Sequence, residues 1–353
     1  MATSDNRQLI SKLTFFPSYP LYAYANGLLY SIYIENMFDY SYVAGFESIS
    51  ADVQQKCFDL ISLNPSKRNI LTPGATEAYI KYYHKGRGTE DSSLAAPQDF
   101  YMVLGHNFNE TSTNISFHGN SINEIVNGCV SQPPEYDGWS YMEANEAPQV
   151  SNVIKFRTNN SCEVGTILWG KKWEGPQNAE LNQSLSISYG NTIRTTTGGK
   201  KISTMNYDGP AMWGDLHAWE LLPDIEKDES WGGGTQYEPP KGGLRTWTVN
   251  FNQLQSKHMM PQNSNLTNYG WTQDSTGNYD MDANNDSLYQ RSTSTDFFSR
   301  VYRLTMGSHL PCVIRISESN NPDQFAIVRI SNYKITEVNP KMVNISLTLE
   351  EQV

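Results

Sequence analysis

Residues 333–350, YKITEVNPKMVNISLTLE, alternate apolar and polar side chains on both sides of a short turn. A period of two is typical of a β-strand with one buried face, and the triplet Asn339-Pro340-Lys341 is typical of a turn. The second strand places its apolar side chains on a single face, and these are Val343, Ile345, Leu347 and Leu349. The stretch therefore predicts a C-terminal β-hairpin that is buried on one side.

The same alternation recurs upstream of this hairpin. Residues 184–189, SLSISY, and residues 245–251, RTWTVNF, have an apolar side chain at every second position. Short apolar runs predict two further strands, at 311–317 and 324–330.

One stretch of the C-terminal half has a helical pattern instead. In STSTDFFSRVYRLTMG, residues 292–307, Ser294 or Thr295 can cap a helix and Gly307 can end it. The apolar stripe of this helix consists of Phe297, Val301 and Leu304. We expect the C-terminal half to be a β-sandwich or barrel with one flanking α-helix near 295–306.

The N-terminal half is less regular. Ser50 can cap a helix over 51–63, whereas residues 75–84, ATEAYIKYYH, fit a helix and a strand equally well. Short strands are predicted over residues 100–104, 113–117, 152–157 and 164–169.

The apolar pattern stops near Trp173-Glu174-Gly175-Pro176, which predicts domains over 1–173 and 174–353. Polar stretches rich in Gly, Pro and Asn predict surface loops at 224–243 and 259–290. Altogether the chain is expected to be mainly β.

Composition excludes several functions. The chain has 353 residues with 26 basic and 37 acidic side chains, and its net charge of −11 argues against a protein that binds nucleic-acid phosphates. Its first residues lack the apolar core of a signal peptide, and no apolar run is long enough to predict membrane insertion. The cysteines are far apart, which favours reduced thiols over disulfides or a zinc site, and they are Cys57, Cys129, Cys162 and Cys312.

No catalytic, cofactor-binding or metal-binding residue is predicted. Acidic residues among tryptophans are the best candidates for an enzyme, and these are Asp208, Asp215 and Glu220. Oxygen ligands also alternate at Asp280, Asp282, Asn284 and Asp286. An EF-hand would need glycine in place of Asn285 and glutamate in place of Arg291, so calcium binding by 280–286 stays open.

Aromatic residues in the polar stretch PPEYDGWSY, residues 133–141, are candidates for binding. Tyr136, Trp139 and Tyr141 would be costly to expose in a loop, but their rings could stack on a sugar or on a neighbouring subunit. The alternative is a loop that packs onto its own domain.

The first half resembles the discoidin-like (galactose-binding-like) jelly-roll domains of phage virion proteins. The resemblance spans about residues 20–173 and rests on NILTPGATEAYIKYY, DFYMVLGHNFNETSTNISFHG and VIKFRTNNSCEVGTILWGKKW. Its most characteristic piece is the turn Gly105-His106-Asn107-Phe108 after an apolar strand. It implies a jelly-roll β-sandwich, whose relatives often bind sugars through loops at one end.

The second half resembles tail proteins of tailed bacteriophages, of the distal-tail and tail-tube type. This resemblance spans about residues 180–353 and rests on GGLRTWTVNFNQL, on residues 296–331 and on the closing strand NISLTLEEQV. It implies a tail-tube-like β-sandwich with a flanking helix, while the polar insert at 259–290 favours a baseplate or tail-tip ring over a simple tube subunit.

Together the resemblances imply a structural virion protein made in the host cytoplasm, with no enzymatic activity. It would be a distal-tail or minor tail subunit in a ring of six copies that joins the tail tube to the tail tip around the DNA channel. Its partners would be copies of itself, tube and hub proteins and a host surface glycan, and an acidic channel wall would keep DNA from sticking. The alternatives are a carbohydrate-binding or receptor-binding virion protein and a glycan-cleaving enzyme.

Overall fold

The structure is a computed structural model, and it describes most of the chain. The described residues are 9–27, 29–35, 55–56, 58–71, 77–84, 96–118, 134, 137–149, 151–158, 160–178, 182–188, 190–205, 212–213, 216–217, 243–260, 271–273, 279–281, 295–339 and 341–352. Antiparallel strands dominate them, so the prediction of a mainly β protein is confirmed.

The first half holds eleven strands in the described ranges: β1 Thr14–Phe16, β2 Leu29–Glu35, β3 Asn69–Leu71, β4 Glu77–His84, β5 Ala96–Leu104, β6 Asn114–His118, β7 Trp139–Gln149, β8 Ser151–Arg157, β9 Cys162–Val164, β10 Thr166–Gly170 and β11 Trp173–Glu174. The α-helix α1 (Tyr19–Ala25) lies between β1 and β2, and Ser18 caps it by accepting a hydrogen bond from the Leu21 N–H.

The second half continues with strands β12 Ser184–Ser188, β13 Asn191–Thr195, β14 Lys201–Met205, β15 Met212–Trp213, β16 Leu216–His217, β17 Leu244–Gln255, β18 Trp271–Gln273, β19 Tyr279–Met281, β20 Cys312–Arg315, β21 Phe325–Asn339 and β22 Met342–Glu351. Short 3-10 helices occupy Ser256–His258 and Pro322–Gln324, and a π-helix occupies Phe298–Tyr302.

A seven-stranded sheet with the order β11-β1-β20-β21-β22-β17-β12 organises the C-terminal half. The predicted hairpin is its longest pair, since β21 and β22 pair from Val328 and Glu351 down to Asn339 and Met342. The alternation expected for β22 is present, because Val343, Ile345, Leu347 and Leu349 are all buried. They pack against the buried side chains of β17, which are Trp247, Val249, Phe251 and Leu254.

The predicted flanking α-helix has a different form. Phe297 alone is α-helical, Phe298–Tyr302 is a π-helix, and turns follow it up to residue 309. The wider, i to i−5 spacing is shown by the bond from the Arg303 N–H to the Phe298 carbonyl. In the turns that follow, the Gly307 N–H donates to the Tyr302 carbonyl over the same spacing.

The ends of this segment were predicted with partial success. Gly307 ends it with a φ of +65°, as expected. The side chain at its start is that of Asp296, which accepts from the Ser299 N–H at 2.8 Å, and not that of Thr295; Ser294 lies outside the described residues. Phe297, Val301 and Leu304 are buried as predicted.

The first half is built from smaller sheets, with the orders β2-β4-β8-β6, β10-β5-β7 and β3-β9. Their shared core includes Tyr82, Tyr101, Phe117, Phe156 and Trp169. Residues 77–84 form a strand, which settles the choice between helix and strand. Residues 55–56 and 58–59 are helical, but residues 60–63 form turns and bends, so the helix predicted over 51–63 ends earlier than expected.

The N-terminal strand belongs to the C-terminal sheet. Residues 14–16 pair with 313–315 on one side, and Thr14 and Phe15 pair with Glu174 and Trp173 on the other. A mixed cluster joins the two halves, and it includes Phe16, Phe100, Trp139, Val313 and Phe325. The division into 1–173 and 174–353 stays a prediction, but a strand from the first segment completes the sheet of the second.

Several predicted features lie wholly or partly outside the description. The loop at 224–243 is described only at Gly243, whereas the polar stretch 259–290 contains the paired strands β18 and β19. Cys162 and Cys312 are buried free thiols, while Cys57 and Cys129 are not described. No helix within the described ranges has the length and apolar character needed to cross a membrane.

Candidate functional site

The aromatic residues proposed for binding lie where the two halves meet. Trp139 and Tyr141 are on β7, so their predicted setting in a loop is wrong, and Tyr136 is not described. The Trp139 ring is 5% exposed and lies 4.3 Å from the ring of Phe325, centroid to centroid. Tyr141 packs edge-on against Phe16 at 5.6 Å. Both rings therefore help to hold β7 against the C-terminal sheet, and their contact with a sugar or a partner stays a prediction.

A cluster of charged side chains borders these rings. Lys172 lies at its centre, with Nζ 3.1 Å from Glu143 Oε1 and 2.9 Å from Glu174 Oε1. The Tyr141 hydroxyl donates to Glu143 Oε1 at 2.7 Å, so one carboxylate oxygen accepts from both the phenol and the ammonium. Arg315 approaches Glu174 from the C-terminal sheet at 3.9 Å. The cluster thus joins strands of both halves through charges.

Electrostatics favours the ionised forms of the central pair. Burial alone would raise the pKa of Glu143, but hydrogen bonds from Tyr141 and Lys172 lower it overall. Burial alone would lower the pKa of Lys172, but hydrogen bonds to Glu174 and Glu143 raise it. Burial, followed by the hydrogen bond to Glu143, raises the pKa of Tyr141. The phenol therefore stays protonated as a donor, and the arrangement is suited to holding strands together.

A second ion pair extends this joint to the π-helix. Arg300 Nη1 donates to the Lys172 carbonyl oxygen at 2.8 Å and lies 3.5 Å from Asp99 Oδ2. Burial raises the pKa of Asp99 and lowers that of Arg300, although the charge of each partner opposes the shift of the other. The joint between the halves is therefore polar at its rim and aromatic at its centre.

The turn Gly105-His106-Asn107-Phe108, which carries the jelly-roll resemblance, is tightly packed. Gly105 has a φ of +71°, and a Cβ there would meet the Pro65 carbonyl oxygen far inside contact distance. Asn107 Oδ1 accepts from the Glu163 N–H at 2.7 Å and so ties the turn to β9.

His106 fills the space beneath this turn. Its Nδ1 accepts from the Phe108 N–H at 3.4 Å, its Nε2 lies 2.8 Å from Ser140 Oγ, and its ring stacks on Phe108 at 4.2 Å. Burial lowers the pKa of His106 to about 3, so the ring is neutral at ordinary pH. A buried, neutral and hydrogen-bonded histidine supports the loop and has no access to a substrate.

The enzyme and calcium candidates lie almost entirely outside the described residues. Asp208, Asp215 and Glu220 lie outside the described residues, as do Asp282, Asn284 and Asp286; Asp280 lies on β19. No group of three or more His, Cys, Asp or Glu side chains suited to a metal occurs within the described ranges. The absence of catalytic, cofactor and metal sites therefore stays a prediction.

The long hairpin has an open edge. β20 pairs only with residues 325–328 of β21, whereas β21 continues to residue 339. Along residues 329–339 one edge of β21 pairs with β22, and no strand of the described chain pairs with the other. Beyond β22 and β17, the strand β12 ends the sheet on that side. Unpaired strand edges of this length readily add a strand from another chain.

One face of this sheet is polar but nearly uncharged. Residues opposite each other across the strands share a face, and the alternation places small polar side chains on the side away from the core. This polar face consists of Ser184, Ser186, Ser188, Thr246, Thr248, Asn250, Asn332, Lys334, Thr336, Asn344, Ser346 and Thr348, with Arg329 and Glu350 at its margin.

Sequence patterns could find part of this surface. The alternation within β12 and β22 reveals the polar positions of each strand, but strand order and the open edge depend on pairings that no spacing encodes. The charged cluster around Lys172 had no signal at all, because its members come from distant segments.

No protein-family model matches the chain, and no curated protein or solved structure shows significant similarity to it.

Proposed function

We propose that this protein is a structural subunit of a phage tail, a distal-tail or baseplate ring subunit that joins the tail tube to the tip around the DNA channel. The observation that carries the proposal is the open edge of β21 over residues 329–339. Two strands, β22 and β17, separate it from β12, whose own outer edge pairs with no described strand. The jelly-roll and tail-tube folds, the six copies and the location in the virion belong to the same proposal and rest on the sequence resemblance.

The part of β21 that is unpaired on one edge and the outer strand β12 support assembly into a ring. They differ in length and sequence, so a contact between β21 of one copy and β12 of the next is head-to-tail. Contacts of this kind repeat around an axis and close into rings when the rotation allows it. Backbone pairing of this sort would extend the sheet from copy to copy.

The polar face supports a channel wall. In such a ring the extended sheet would present its Ser, Thr and Asn side chains to the lumen. Hydroxyl and amide groups without an array of cations do not hold phosphates strongly, so a duplex could slide past them. The wall would then be close to neutral, in contrast to the acidic wall that the net charge suggested.

The test compares one double variant with a matched control. Lysine on an edge strand opposes the addition of another strand, so Asn332→Lys with Thr336→Lys should weaken assembly about 10- to 100-fold. The control, Ser346→Lys with Thr348→Lys, adds the same charge to the same face on β22, which is paired on both sides. Sedimentation velocity gives the association constant, and negative-stain microscopy shows whether rings form.

Rings in the wild type and in the control, with loss only in the edge variant, would support the proposal. A wild-type protein that stays monomeric at every accessible concentration would refute it. Equal loss in both variants would show that the edge of β21 is not the contact.

A carbohydrate-binding virion protein remains the second hypothesis, though the geometry gives it little support. A stacking platform needs an accessible ring, and Trp139 is buried against Phe325. Glycan-array binding that disappears with Tyr136→Ala and survives an edge-strand substitution would favour it.

A further inference from the structure

The two-stranded hairpin β13–β14, with its flanking Gly190, projects from the large sheet. This hairpin, residues 190–205, is called the arm below. It continues directly from the outer strand β12 and turns back through residues 196–200. The turn is closed by bonds from the Thr196 N–H to the Lys200 carbonyl and from the Gly199 N–H to the Thr196 carbonyl, both 2.9 Å. The arm therefore starts next to β12, the strand that would pair with β21 of the neighbouring copy in the proposed ring.

The arm has no cover of its own. All side chains from 193 to 203 are exposed, and a Cβ added at Gly198 or Gly199 would meet nothing within 4 Å. A two-stranded hairpin without a third strand or a packing face is only marginally stable in water. The arm thus needs a partner surface to hold a fixed conformation.

Each face of the arm carries an isoleucine and a cation. Ile193 lies on the face that also bears Lys201, and Ile202 lies opposite Arg194 on the other face. The isoleucines are 65% and 50% exposed, among the most exposed large apolar side chains described. Because both faces have the same character, a partner must enclose the arm in a groove.

The charge of the arm indicates which partner it binds. Residues 190–205 contain Arg194, Lys200 and Lys201 and no acidic residue, whereas the whole chain has a net charge of −11. Removing these three positive charges leaves −14 on the rest of the molecule. A second copy is therefore an acidic partner for the basic arm. DNA is also anionic, but phosphates give no reason for an exposed isoleucine on each face.

We propose that the arm docks into a groove on a second copy of this chain and clasps the neighbour that joins its sheet edge. This inference rests on the proposed function, since it assigns a further contact to the same head-to-tail assembly. Isoleucine burial would supply contact energy on both faces, and the cations would orient the arm on the acidic surface.

Two arm variants and one control test the proposal. Ile193→Ser with Ile202→Ser removes the apolar contacts, and Arg194→Glu with Lys201→Glu reverses the charge. Ile70→Ser, on β3 of the first half, removes an equally exposed isoleucine (63%) away from the arm. Sedimentation velocity should show assembly weakened about 100-fold in each arm variant and unchanged within about twofold in the control. Circular dichroism of the dilute proteins should be the same for all, because the substituted side chains are exposed.

The outcomes separate this inference from the ring itself. If the wild type forms rings and both arm variants assemble with wild-type affinity, the arm inference is wrong and the proposed function stands. If the wild type never assembles, both fall together. Fluorescence anisotropy with a short DNA duplex tests whether DNA is the partner instead. If the wild type binds DNA, and Arg194→Glu with Lys201→Glu abolishes that binding but leaves assembly unchanged, the inference is overturned.

Discussion

The buried pair Arg245–Glu351 shows how single residues fix the sheet. Arg245 Nε donates to Glu351 Oε2 at 3.0 Å, and its Nη2 donates to Oε1 at 2.7 Å, while both side chains are almost fully buried. The Arg245 guanidinium also lies over the Trp247 ring at 4.7 Å. The pair joins the start of β17 to the end of β22 and fixes their register.

Breaking this pair should be costly because it leaves a buried charge without its partner. We expect Arg245→Met to lower the free energy of unfolding by about 3–5 kcal/mol. Glu350→Gln, one position away but exposed, should change it by less than about 0.5 kcal/mol. Urea unfolding followed by tryptophan fluorescence measures both, and equal effects would show that the pair does not hold the register.

The double variant Arg245→Met with Glu351→Leu provides a second check. It removes both charges and fills the space with apolar groups, so it should recover most of the lost stability. No sequence spacing could reveal this pair, because its members are 106 positions apart and each lies among ordinary strand residues.

At the scale of elements, the turn after β5 depends on one close approach between chain segments. Gly105 and Gly199 both have positive φ, at +71° and +77°, but only Gly105 lies against another part of the backbone, at Pro65. Gly165, just before β10, also approaches the Pro65 carbonyl. Glycines at the end of β5 and at the start of β10 therefore let the backbone at Pro65 come close to both strands.

A comparison of Gly105 with Gly199 separates the cost of the close approach to Pro65 from the cost of a side chain at positive φ. Gly199→Ala should cost about 1–2 kcal/mol of stability, the cost of placing a side chain at positive φ. Gly105→Ala should cost at least about 2 kcal/mol more, because the backbone of Pro65 has to move. Thermal unfolding by calorimetry compares them, and similar losses would mean that the Pro65 contact is loose.

Elements with a clear period were predictable from the sequence, and those fixed by packing were not. The alternation of β12, β17 and β22 and the apolar stripe of the 295–306 segment are all present. A π-helix stands in place of the expected α-helix, with an i to i−5 bond from the Arg303 N–H to the Phe298 carbonyl, and the apolar stripe is still buried. Trp139 and Tyr141 were placed in a loop because their neighbours are polar, whereas pairing with β5 makes that stretch a strand.

At the scale of the whole molecule, the two halves share an aromatic joint. Phe325 of the C-terminal sheet contacts Phe16, Trp139 and Tyr141. The ion pairs around Lys172 lie at the border of the same joint. The two halves should therefore unfold as one unit.

Removing Phe325 should uncouple the halves. We expect Phe325→Ala to lower stability by about 3–5 kcal/mol and to split the single calorimetric transition into two. Phe251 lies in the core of the C-terminal sheet and not in the joint between the halves. Phe251→Ala should therefore lower the transition temperature but leave a single calorimetric transition. A single transition in Phe325→Ala would show that the remaining contacts, among them the pairing of β1 with β20 and the charged cluster, suffice to couple the halves.

The placement of β1 has a consequence for biosynthesis. Thr14 leaves the ribosome long before Arg315, its partner in the sheet, which follows 301 positions later. At typical translation rates of about 5–20 residues per second, the nascent Thr-Phe-Phe segment waits roughly 15–60 s for its neighbour. During that interval Phe15 and Phe16 lack their contacts with Phe297 and Phe325, so early chaperone engagement should decide the yield of this protein in a cell.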